Sequence, residues 1–302
     1  MFELSQYALV VAAILIALAL VGYAAVVASA GRRRRTPALV RAGAARTEGG
    51  HTDGDDAAPA AAPSGAPARG AGWYASRMVW LAVVLLTAAL VLRTLATGHA
   101  PFANQYEFAI SFAWGITLAF AWFDWRYDLR AIALAVLPVV LALMLYATTQ
   151  DAEPSPLIPA LQNSVLLTLH VLTAALSYGA ACVSFGAAVL YLLKPHVGWK
   201  LPSYDKLDEI GYRGTVVTFP LLTVMIILGA LWADTAWGRY WGWDPKETAA
   251  LVTWLIYAAY LHARVVRDWR GKRAAWLLVL GFAAVMFSYF GNHFFGGLHS
   301  YG

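Results

Sequence analysis

The sequence predicts an all-α fold, a polytopic membrane helix bundle of about eight transmembrane helices with the N-terminus and C-terminus outside. Three observations carry this. Of 302 residues, 60% are hydrophobic and only 13% charged, with a mean hydropathy of +0.59, far from the average globular composition. Apolar runs recur eight times, near 5–30, 76–97, 106–123, 131–148, 163–193, 213–233, 246–267 and 274–291, against the ~20 residues that cross a hydrocarbon core of ~30 Å. Lys and Arg also fall on alternate connections. Segments 31–77, 124–130, 194–213 and 264–273 carry eight, two, four and five of them, and only Arg93, Arg239 and Lys246 of the 22 lie elsewhere. Basic loops stay in the cytoplasm, so those four segments are inside.

The first run, residues 1–30, reads as a retained N-terminal anchor. Its start carries Glu3 and no base, and although Ala28-Ser29-Ala30 resembles a cleavage site, Arg32–Arg35 follow at once. Residues 31–75 are rich in Ala, Pro and Gly, include Asp53, Asp55 and Asp56, and show no period that could build a core; they read as a flexible cytoplasmic linker. Residues 76–302 read as one seven-span body. Runs 106–123, 131–148 and 274–291, of 18 residues each, are short for a span. The fifth run carries His170, Thr173, Ser177 and Ser184 as one polar stripe, which lipid cannot satisfy and which must face other helices or a cavity. The seventh opens on Asp244-Pro245-Lys246-Glu247, with Asp at N-cap, Pro at N1 and Glu at N3, the pattern of a capping box.

Composition also excludes. The net charge of +5 follows from membrane orientation and forms no basic patch for nucleic acid. One cysteine, Cys182, lies inside the fifth run, so no intrachain disulfide forms, and no Cys-x-x-Cys-His is present. There is no Ser-His-Asp arrangement, no Gly-rich phosphate loop, no cluster at one depth suited to a bare metal, and no internal repeat of the transporter kind.

Chemistry-bearing residues gather on the outer side. Between Trp237 and Glu247 stand Trp237, Tyr240, Trp241, Gly242, Trp243 and Asp244; aromatic rings offer flat contact surface and glycine lets backbone approach a flat ligand. Of seven histidines, His51, His196, His99 and His293 read as polar surface residues. His170 lies about two turns into the fifth run from outside, and His299 in the tail Gly296-Gly-Leu-His-Ser-Tyr-Gly302. His262 lies near the inner end of the seventh run, above Ala258 and Ala259 on its own face. Three histidines at two depths, set among aromatic and small residues, suit a planar metallo-macrocycle, because imidazole is a good iron ligand.

At this point the residues match a family. Trp237-Gly-Arg-Tyr-Trp-Gly-Trp-Asp-Pro-Lys-Glu-Thr248 resembles the tryptophan-rich WWD signature of haem-handling proteins in cytochrome c maturation. Within that group, residues 76–302 are similar to the CcsA/ResC family (CcsB in some bacteria) of the System II pathway, in the order His170, signature, His262, His299. The resemblance implies that haem b, as transported substrate, reaches the outer face of a bacterial cytoplasmic membrane. There it is presented to the Cys-x-x-Cys-His of an apocytochrome c for thioether attachment, by a component of a holocytochrome c synthase (haem lyase) served indirectly by thiol-reducing proteins. It implies His170 and His299 as external axial ligands, His262 as a transmembrane ligand, and the Trp, Tyr and Gly of the signature as a platform. Asp244 reads first as a helix cap. Propionates call for cations, and Arg93, Arg239 and Lys246 are the outer-side choices. No second buried histidine stands at the depth of His262, so a ResB/Ccs-type membrane partner is expected to supply the other ligand. Two alternatives stay open: a b-type membrane cytochrome for electron transfer, and a small-molecule transporter without haem chemistry.

Overall fold

The structure, a computed structural model, describes residues 1–32, 70–153, 157–162, 164–197, 201–291 and 294–299. Most of the expected 31–75 linker, together with His51 and His293, lies outside the described residues. Eight α-helices fill the rest: α1 Phe2–Arg32, α2 Ala71–Thr97, α3 Gln105–Tyr127, α4 Ala133–Thr148, α5 Ser164–Leu193, α6 Tyr204–Trp237, α7 Pro245–Val266 and α8 Lys272–Phe290, with a 3-10 turn at Pro159–Gln162. No strand occurs among the described residues. Among the described residues, seven helices are long and apolar enough to cross a membrane. The exception is α4, whose 16 residues rise only about 24 Å at 1.5 Å each. The backbone from Leu129 to Ile132 turns before α4 starts, which shortens the 131–148 run at its beginning.

Local chemistry sets the helix ends. Asn104 caps α3 by accepting from the Glu107 N–H, and Ser203 caps α6 by accepting from Lys206. Gly98 and Gly238 close α2 and α6 in the left-handed region, at φ 77° and 73°, where a side chain would be strained.

Helix α5 is the axis of the bundle, packed against α3, α4, α6 and α8. Helices α1 and α2 run together on one flank, where α1 also meets α4, and α7 sits against α6 and α8. The polar stripe of α5 faces α6: Ser177 donates to the Thr218 carbonyl at 3.1 Å, and Thr215 donates to Ser184 at 3.5 Å. Where α3 crosses α5 the backbones nearly touch. A Cβ on Gly115 would lie 2.4 Å from the Ala175 carbonyl oxygen, and one on Gly179 would lie 2.4 Å from that of Gly115. Small residues permit such crossings, which dispersion and packing hold together in lipid.

Buried charged groups are met by polar partners, as an apolar interior requires. Arg93 on α2 donates from Nε to Glu107 on α3 at 2.7 Å, with both side chains essentially inaccessible, and from Nη1 to the Ala152 carbonyl at 2.8 Å. At the opposite end of the bundle Arg264 meets Asp208. Tyr23 of α1 donates to Asp124 at 2.6 Å, fastening the first helix to α3. The outward faces carry large apolar side chains such as Val10, Val84, Val91, Leu145 and Val224, as contact with lipid demands.

Candidate functional site

At one end of the bundle α3, α5, α6, α7 and α8 surround a cavity of about 950 Å³ including its open mouth. Phe108 and Phe112 of α3, Val171 and Tyr178 of α5, Met225 and Gly229 of α6, Lys246 and Ala250 of α7, and Tyr289 of α8 supply its walls. His170 and His299 both line it, although 129 positions separate them in the chain.

His170 is placed by α6. Its Nδ1–H donates to the Met225 carbonyl at 2.8 Å, and since a carbonyl only accepts, Nδ1 carries the proton and Nε2 is the acceptor nitrogen. Gly229 makes room for the ring, because a Cβ there would fall 2.7 Å from His170 Cε1 and 2.8 Å from Nδ1. Trp232, one turn further along α6, lies parallel to the imidazole at 12° with centroids 6.4 Å apart. Its indole N–H is held by the Ala160 carbonyl of the 3-10 turn at 3.2 Å.

The Trp-rich turn follows directly from the end of α6. Its sequence-read capping box is present. Asp244 accepts from the Lys246 N–H at 3.1 Å, and Glu247 Oε2 accepts from the N–H groups of Asp244 at 3.1 Å and Gly242 at 2.8 Å. Asp244 does more than cap. Its Oδ1 accepts from the Leu298 N–H at 2.6 Å and its Oδ2 lies 2.8 Å from His299 Nδ1, so the start of α7 grips the chain's C-terminal tail. Gly297 allows that approach, since a Cβ there would sit 2.3 Å from Asp244 Oδ1. Burial alone would raise the Asp244 carboxyl, yet the hydrogen bond and charge of His299, with the Lys246 and Leu298 N–H groups, bring it down to about 2. His299 is held below its ordinary value because burial disfavours the cation more than Asp244 favours it. Trp237 meets the His299 ring edge-on at 4.8 Å, and Trp232 lies 5.7 Å from it.

The sequence-read platform residues divide. Tyr240 and Trp241 line the cavity and Trp237 braces His299, while Gly242 and Asp244 build the turn. Trp243, at φ 57°, points outward, 69% exposed, edge-on to Trp241 at 5.8 Å. The three cations divide as well. Lys246 lines the cavity with its ammonium 5.5 Å from the Phe108 ring centroid, whereas Arg239 stands exposed at the turn and Arg93 is committed to Glu107 outside the lining. His262 is not brought to this cavity. It lies near the other end of α7, some 25 Å along the helix from its start, exposed on a face shared with Val252, Leu255 and Ala259.

Sequence reasoning missed Met225, Gly229 and Trp232 because nothing local marks them. It also missed Tyr289, whose buried hydroxyl has no hydrogen-bond partner among the described residues, and the Tyr178–Ser288 pair at 3.3 Å. No group of three or more His, Cys, Asp or Glu that could hold a bare metal ion occurs among the described residues.

Comparison with known proteins identifies the family. The family model for cytochrome C assembly protein matches residues 102–299, a stretch that contains every wall of the cavity. The chain is 38% identical over 251 residues to the cytochrome c biogenesis protein CcsA of Guillardia theta, covering 74% of this chain and 83% of that one. It is 39% identical over 269 residues to CcsA of Synechococcus sp. (strain RCC307), covering 75% and 85%. Among solved structures, the cytochrome c heme lyase CcmF superposes with a TM-score of 0.63 at 19% identity, over 96% of this chain and 46% of that one; the likeness is one of fold, and this chain spans about half of CcmF's length. A family match over most of the chain and two relatives well above 30% identity agree: the chain belongs to the CcsA family and serves the biogenesis of c-type cytochromes.

Proposed function

We propose that this chain binds haem in the cavity between His170 and His299 and presents it to apocytochrome c for thioether attachment, as one component of a holocytochrome c synthase. The observation that supports this most is the pairing of the two imidazoles on one cavity, each with its Nδ1 tied to a fixed acceptor. In that state each ring offers Nε2 as an iron ligand. Haem b is the substrate, held by position and not consumed by the protein; bond formation between thiol and vinyl is chemistry of the two reactants, and the chain supplies orientation. Tyr240, Trp241, Phe108 and Phe112 provide apolar faces for the macrocycle. Lys246 is the cation that lines the cavity and serves a propionate, with Arg239 at the rim as a second choice.

The cavity end is assigned to the extracytoplasmic side of a bacterial cytoplasmic membrane, because the basic loops cluster at the other end. There His262 acts as a transmembrane haem ligand. An ionisable side chain facing lipid is costly, so its exposed position supports a covering partner of the ResB/Ccs type that brings the second ligand.

Purified protein should show a Soret band and a b-type pyridine haemochrome. His170→Ala and His299→Ala should each lose most haem at unchanged expression, and His262→Ala should lose it only in the complex with the partner. Full haem content and normal cytochrome c maturation in both cavity variants would sink the reading.

A further inference from the structure

We infer that Asp244 is a positioning residue for His299, which fixes the tautomer and ring direction of that side chain and would make the two imidazoles electronically unequal toward a bound haem. The inference rests on the proposed haem site and extends it.

The capping box needs from Asp244 only one acceptor, toward Lys246 N–H. The same carboxylate, only 6% exposed, spends two further lone pairs on one short stretch of tail, Leu298 N–H at 2.6 Å and His299 Nδ1 at 2.8 Å. A cap alone does not require a tail residue 55 positions away. Gly297 has no room for a methyl group against Oδ1, so the tail approaches as closely as backbone can. With Nδ1–H given to a carboxylate, the coordinating nitrogen of His299 is Nε2, and two rings, Trp237 and Trp232, hold its plane.

The partners of the two histidines differ in charge. His170 donates to a neutral carbonyl, that of Met225, and His299 to an anion. A carboxylate draws the Nδ1 proton, raises the electron density of the ring and makes it a stronger donor to ferric iron. His299 is thus the ligand that favours the oxidised metal, and His170 is the ordinary imidazole. The carboxylate that caps α7 is also the one that would tune the iron, so the Trp-rich turn and the tail form one unit.

The test uses the full chain in detergent, loaded with haem b. Asp244→Asn keeps a good helix cap and the size of the side chain, and replaces the anion by a neutral amide. Its ferric haem should bind about tenfold more weakly relative to ferrous haem, in line with outer-shell substitutions, which for one electron is an upward shift in midpoint potential of about 59 mV. Gly297→Ala is the second variant, since it leaves both partners in place and forces them apart; its midpoint should move in the same direction. A thermal melt of each variant records any loss of the cap. A purely capping role predicts an unchanged midpoint in both variants, whatever their melting temperatures, and that result overturns the inference while leaving the haem site standing. Wild-type protein that takes up no haem overturns both.

Discussion

Gly229→Ala separates the cavity's need for space from the helix's need for a good former. The structure fixes the geometry of the clash. The added Cβ would lie 2.7 Å from His170 Cε1 and 2.8 Å from Nδ1, and ordinary contact begins at 3.4 Å, so the ring must retreat by about 0.7 Å if the helix holds. That retreat stretches the 2.8 Å bond to the Met225 carbonyl beyond the ~3.2 Å useful limit for N–H···O. Loss of this bond costs about 0.5–1.5 kcal/mol, and replacing a mid-helix glycine returns about 0.5–1 kcal/mol. Net stability should therefore change by no more than about 1 kcal/mol. The ligand pays more, because a misplacement approaching 1 Å can cost on the order of a hundredfold in function. Haem titration followed by the Soret band, beside a thermal melt of the apo-protein, reads both quantities. Weakened haem binding at nearly unchanged melting is expected, and a folded variant with wild-type affinity refutes the placement of His170.

Three further outcomes are expected. Arg93→Met strands Glu107 in a site from which water is excluded, so it should lower stability by about 3–5 kcal/mol, and Arg93→Met with Glu107→Gln should recover much of that; equal melting of the single and double variants would remove the pair from the stability account. Gly115→Ala drives a methyl group onto the Ala175 carbonyl, and overpacking of a rigid contact should cost about 1–3 kcal/mol, seen as a lower yield and an earlier melt; a melt like that of wild type would show that the crossing is looser than described. Because His299 sits below its ordinary 6.5, the stability it contributes is complete above pH 6.5 and falls as pH drops through the depressed value. Haem occupancy should accordingly be flat from pH 8 to 6.5 and decline only below, and a loss centred above pH 6.5 would contradict it.

Much of the architecture could be read from the chain. Seven long helices coincide with apolar runs because a lipid-crossing segment must be apolar along its whole length, a signal each run carries by itself. The capping box at Asp244 was legible for the same reason, since its donors and acceptors lie within four residues. The polar stripe from His170 to Ser184 announced a packed face, and that face is α6. What the sequence withheld depends on pairs distant along the chain. Arg93 looked like a spare outer cation, although Asn104 and Glu107, three apart at a helix start, hinted at an acid whose partner had to come from a neighbouring helix. Gly229 and Trp232 resemble any glycine and tryptophan of an apolar helix until the facing histidine is known. The second role of Asp244 was hidden because its local role already accounted for it.

The glycine crossing of α3 and α5 has a mechanical consequence for the cavity. Those two helices carry Phe108, Phe112, His170 and Tyr178, and at Gly115 and Gly179 they are already in backbone contact, with no slack to close and strong packing against opening. They form a fixed jaw. On the other side, α7 packs against α6 and α8, and the tail with His299 is held to the start of α7 by the two hydrogen bonds that join it to Asp244. A change in gap between loading and release of a flat cargo is therefore expected in the tail that carries His299, while the glycine crossing keeps His170 in place as the reference.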